Sequence, residues 1–76
     1  MIVNRENCGK IYTKIKYDEI NGGGIIEIRK LQNQFKAFYV DKDGNTVAWT
    51  PFCGSWYQAR CKMLDMLEIR KDYENG

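Results

Sequence analysis

The chain has 76 residues, 43% hydrophobic and 29% charged, with 12 basic against 10 acidic side chains and a formal net charge of +2. That length allows one small core and no second domain, the composition is that of a chain that folds, and the charge is too slight to mark a nucleic-acid binder by itself. With no histidine anywhere, imidazole-based dyads and triads are excluded, and zinc loses one of its two usual ligand types.

No run approaches the roughly 18 apolar residues of a membrane span, and the opening residues MIVNRENCG lack the basic start and apolar centre of a secretory leader. Three cysteines, Cys8, Cys53 and Cys61, cannot all pair within one chain, so reduced thiols and a cytoplasmic setting are expected. The charge is uneven. Residues 10–40 hold Lys10, Lys14, Lys16, Arg29, Lys30 and Lys36 against Asp18, Glu19 and Glu27, which puts the basic excess in the first half.

In chain order, residues 11–17, IYTKIKY, set Ile11, Thr13, Ile15 and Tyr17 against Tyr12, Lys14 and Lys16, the alternation of a half-buried strand. Residues 18–24 form a connection, and 25–31, IIEIRKL, give a second strand with Ile26 and Ile28 on one side. Gln32 and Asn33 make a tight turn, where Asn suits the left-handed conformation that a two-residue hairpin loop needs. Residues 34–40, QFKAFYV, are a third strand with large groups on both faces, which leaves its orientation open. The Asp-Gly of DKDGN at 41–45 turns the chain into a short fourth strand, TVAWT at 46–50, and Pro51 ends pairing.

From Ser55 the apolar period becomes helical. Trp56, Ala59, Met63, Met66 and Leu67 share one arc, Leu64 flanks it, and Gln58, Asp65, Glu68 and Asp72 lie opposite. Asn75-Gly76 is a fitting stop. The sequence therefore predicts one α+β domain over residues 1–76, an antiparallel sheet of three or four strands with a C-terminal helix across one face.

The stretch TPFCGSWYQARC looks most like chemistry, but Ser55 and Gln58 have the spacing of a capping box and Cys61 flanks the apolar arc. Cys53 beside a helix start would need a base, and the cysteines show no CxxC spacing for a metal. NGGG at 21–24 precedes a strand where a phosphate loop would open a helix. DKDGNT begins like a calcium loop, but its glycine falls at the fourth position and Phe52 stands where the bidentate glutamate should be. No catalytic residue, cofactor or metal is expected.

A surface remains. With Ile11, Ile15, Ile26, Ile28, Val47 and Trp49 facing the helix, the other sheet face would show Tyr12, Lys14, Lys16, Arg29 and Leu31, joined by Lys36 or Tyr39, with Glu27 partly neutralising the lysines. Arg60 lies within the helix's apolar arc, where its stem lies along the sheet and its guanidinium reaches outward to an acidic partner. Tyr12, Lys14, Lys16, Arg29, Lys36, Tyr39 and Arg60 are thus the candidate partner-binding residues, together with the loops at 18–24 and 41–45.

The segment IRKLQNQFKAFYVDKDGNTVAWTPFCGSWYQARCKML resembles, in element order and in its Asp-Gly hairpin, the three-stranded-sheet domains at the N-termini of phage-type integrases and in AP2-type plant regulators. That resemblance implies a sheet face entering the DNA major groove through Arg29, Lys36 and Lys30. In size and lone-domain organisation the chain is also similar to small phage-encoded inhibitors of bacterial defence systems, including anti-CRISPR proteins. The expected function is a non-enzymatic binding protein, such as a phage-type inhibitor of a host defence complex, that occupies the surface of a protein or nucleoprotein partner. The alternative is a sheet-based double-stranded DNA-binding module of a mobile element. Homodimerisation would add to a small core, and no membrane partner is expected.

Overall fold

The alternating segments fold into four antiparallel strands, β1 (Lys10–Tyr17), β2 (Gly24–Leu31), β3 (Gln34–Asp41) and β4 (Thr46–Trp49), in the spatial order β1-β2-β3-β4. A short 3₁₀ turn, Arg5–Cys8, precedes them, and helix α1 (Trp56–Asn75) follows. The computed structural model describes the backbone of residues 5–18 and 22–75 and the side chains up to residue 70. This is the α+β architecture expected, with all four strands present.

Local chemistry explains the turns. Between β3 and β4 the Asp41 carboxylate accepts the N–H groups of Asp43 at 3.0 Å and Asn45 at 2.8 Å, and Gly44 takes a φ of 85° that a side chain would resist. Between β2 and β3 the left-handed residue is Gln32, at φ 56°, and not Asn33. Positive φ at the first loop position is the pattern of a type II′ turn, which favours glycine there. Gln32→Gly is therefore expected to stabilise the protein by about 0.5–1 kcal/mol and to raise its melting midpoint by a few degrees. Asn33→Gly should give no gain, and equal effects at both positions in thermal unfolding would contradict this assignment.

Pro51 interrupts the β3–β4 ladder without ending it. Thr50 donates its N–H to the Ala37 carbonyl at 2.9 Å, and its buried hydroxyl accepts the Ala37 N–H at 3.0 Å. Pairing resumes at Cys53, which exchanges two backbone hydrogen bonds with Phe35, at 2.7 and 2.9 Å. The chain is thus still fastened to β3 when it enters α1. Ser55 caps the helix by accepting the Gln58 N–H at 3.1 Å, while the Gln58 side-chain oxygen reaches the Gly54 N–H at 3.2 Å, one residue upstream of the expected Ser55. The helix continues to Asn75, and the expected glycine stop, Gly76, lies outside the described residues.

α1 lies across β3 and β2. Its buried positions Ala59, Met63 and Leu67 recur every four residues and pack with Ile26 and Ile28 of β2, Phe35, Ala37 and Tyr39 of β3, and Ala48 of β4. Each fully buried large aliphatic here contributes roughly 2 kcal/mol. Trp56 and Met66, expected on the same arc, are 38% and 37% exposed at its two margins. β4 matches expectation at Val47, which packs against the core, but the ladder shifts register there, so that Ala48 also faces the core and Trp49 sits beside Phe38 on the far face. Alanines on β3, β4 and α1 leave room for the helix backbone to approach the sheet, a role that a count of large hydrophobic groups overlooks.

Candidate interaction surface

The register places Lys14, Lys16, Arg29, Leu31 and Lys36 on the face away from α1, as expected. They do not form an open cationic plane, because the centre of that face is occupied. Arg5, from the N-terminal turn, reaches across the sheet with its guanidinium on Glu27 of β2 and on the Thr46 hydroxyl of β4. Arg29 bonds the same Glu27 carboxylate and donates to the Gly9 carbonyl at 2.8 Å. Gly9 has a φ of 98°, and a Cβ there would run into the carbonyl of Lys30, so the N-terminal segment lies tightly against β2. Glu27 is buried, and Phe38, its register neighbour on β3, is fully buried on the side the helix does not cover.

Two cations, then, are spent holding this face shut. Arg29 belongs to the fold, whereas Lys14, Lys16 and Lys36 keep their side chains at the periphery. Lys16 pairs with Asp18 at 3.3 Å in a largely exposed contact worth little. Lys36 lies 5.1 Å from the Phe52 ring and 5.9 Å from that of Phe38.

Tyr39 and Tyr12 depart from expectation. Tyr39 is fully buried in the core, its hydroxyl donating to the Tyr17 carbonyl at 3.3 Å. Tyr12 is an extra residue in β1: Ile11 pairs with Arg29 and Thr13 with Ile28, so a bulge absorbs it. Everything before the bulge reverses its facing. Ile11, expected in the core, goes to the far face at 46% exposure, and Tyr12 turns to the helix side.

There Tyr12 joins a second surface that sequence patterning missed. Its ring meets Phe35 edge-on at 5.1 Å and lies at a 30° tilt, 6.4 Å from Trp56, which in turn meets Tyr57 edge-on at 5.9 Å. Lys30 stands 5.6 Å from the Phe35 ring, and Arg60, the last of the expected binding residues, stands 5.8 Å from Tyr57. Tyr12 and Tyr57 are at least half exposed. The one available clue was the adjacent pair Trp56-Tyr57, since Tyr57 is a large aromatic that falls outside the helix's apolar arc.

Two shallow clefts flank these surfaces. One, of about 500 Å³, has Ile25 among lining residues that include Lys14, Lys16, Lys42 and Asp41; of the neighbouring loop at 18–24, residues 19–21 lie outside the described residues. The other, of about 390 Å³, is lined by Phe52, Cys53, Gln58, Cys61, Lys62 and Asp65. Cys53 is buried there, its thiol donating to the Pro51 carbonyl at 3.4 Å. Among the described residues no three His, Cys, Asp or Glu side chains gather in a metal-binding cluster, and no helix is long and apolar enough to cross a membrane. No family model, curated protein or solved structure matches the chain.

Proposed function

We propose that the protein is a non-enzymatic binding protein that occupies the surface of a macromolecular partner, a protein or a nucleoprotein complex, and thereby inhibits what that surface does. The observation that carries this is the exposed cluster of Tyr12, Trp56 and Tyr57 with Arg60 and Lys30 at its margin. Trp, Tyr and Arg are the residue types that dominate binding energy when a partner desolvates them. Rigid rings already packed on one another lose little conformational freedom on binding. The double-stranded DNA alternative rests on the peripheral Lys14, Lys16 and Lys36, because Arg29 is engaged with Glu27 and Gly9.

Tyr57→Ala removes an exposed ring and should leave the unfolding midpoint unchanged while weakening partner binding by about 2 kcal/mol, roughly thirtyfold. Capture from host-cell extract, with wild type and Tyr57→Ala compared side by side, tests this. Retention of a specific partner by wild type and its loss from the variant is the expected result. Capture of nothing but generic duplex DNA, with affinity falling steeply as salt rises, would favour the DNA module instead.

A further inference from the structure

β1 is one of the sheet's two outer strands and, with eight residues against four in β4, the longer, and among the described residues only β2 pairs with it. We infer that its free edge receives an extended acidic segment of the partner as a fifth strand; this rests on the binding function proposed above and names the partner's chemistry. An outer strand presents unpaired backbone N–H and C=O groups along its length, which is the template for strand addition. β1 has eight residues, and after the bulge at Tyr12 its pairing is regular from Thr13 to Tyr17. The helix lies over β3 and β2 and so leaves this side of the sheet open to an added strand.

Charge selects the occupant. The sequence of β1, KIYTKIKY, carries three lysines and no carboxylate. Lys14 and Lys16 share the far face, and among the described residues Lys14 forms no ion pair. Symmetric antiparallel pairing of two copies through β1 would set lysines of one chain against lysines of the other, which is unfavourable. An acidic strand converts the same lysines into cross-strand ion pairs, so the feature that keeps two copies apart admits a carboxylate-bearing partner.

The alternation of β1 extends this to a pattern. Residues of the added strand beside Lys14 and Lys16 should be acidic, since directly opposed unlike charges favour cross-strand pairing. Residues on the other side would lie beside Thr13 and Ile15, both only partly buried, and should be β-branched or apolar. The Tyr12 bulge marks the end of regular pairing and leads into the Tyr12, Trp56 and Tyr57 cluster, joining both surfaces along one line.

The test uses the full chain, isotope-labelled, and a short end-blocked peptide of alternating glutamate and valine. The peptide should slow amide exchange along β1, and methylating its alternate amide nitrogens on one edge, which removes ladder donors and keeps every charge, should weaken binding about tenfold or more. Lys14→Glu with Lys16→Glu, both at exposed positions, should weaken it at least as much with the unfolding midpoint retained. The inference is overturned if the methylated peptide or a lysine-valine peptide binds equally well, if protection appears away from β1, if no peptide binds, or if the unliganded protein sediments as a β1-paired dimer. Should the peptide fail while Tyr57→Ala still abolishes partner capture, strand addition falls and the binding function stands.

Discussion

Glu27→Gln should destabilise the protein by about 3 kcal/mol, because it leaves two guanidinium groups facing each other without the buried carboxylate that neutralises both. At roughly 4–8 °C per kcal/mol for a domain of this size, the melting midpoint would fall by more than about 10 °C. The size of the effect comes from burial: an exposed pair such as Lys16–Asp18 contributes little on the same scale. Adding Arg5→Met should recover part of the loss, since one of the two stranded cations is then gone, and the effects of the two substitutions should not add. Thermal unfolding of the two single variants and the double settles it. A loss below about 1 kcal/mol for Glu27→Gln would mean that this carboxylate is solvated and that Arg5 merely rests on the surface.

Phe38→Ala is expected to cost about 3–5 kcal/mol, the range for removing a fully buried ring from a core. What makes the variant informative is its location. Phe38 lies outside the cluster formed with α1, on the far face, flanked in register by Glu27 and Trp49 and approached by the Lys36 ammonium. A loss of that size in urea unfolding would show that Arg5 and its neighbours exclude water from the sheet's second side as thoroughly as the helix does from the first. Leu31→Ala, on the same face but 41% exposed, serves as the comparison and should cost less than about 1 kcal/mol. Equal losses at the two positions would mean that the far face is uniformly open.

The fold was legible because its determinants are local. Alternation marked β1 and β2, β-favouring residues between turns marked β3 and β4, Asp41 and Gly44 marked the third turn, and Ser55 with Gln58 marked the helix start. The interaction surface was less so. Of the seven residues expected to bind a partner, Lys14, Lys16 and Lys36 lie at the edge of the expected face and Arg29 is tied into it. Tyr12 and Arg60 belong to a different surface, and Tyr39 is in the core.

By itself the sequence determined an antiparallel sheet of three or four strands, a capped amphipathic helix after it, and the lack of any imidazole in these 76 residues. Only tertiary structure decided which residues face outward. A single extra residue at Tyr12 inverts the facing of all that precedes it, because side chains in a strand alternate with a period of two and the bulge lies where two strands meet. Closure of the far face depends on Arg5 meeting Thr46, 41 positions along the chain, and no local preference records a contact of that separation.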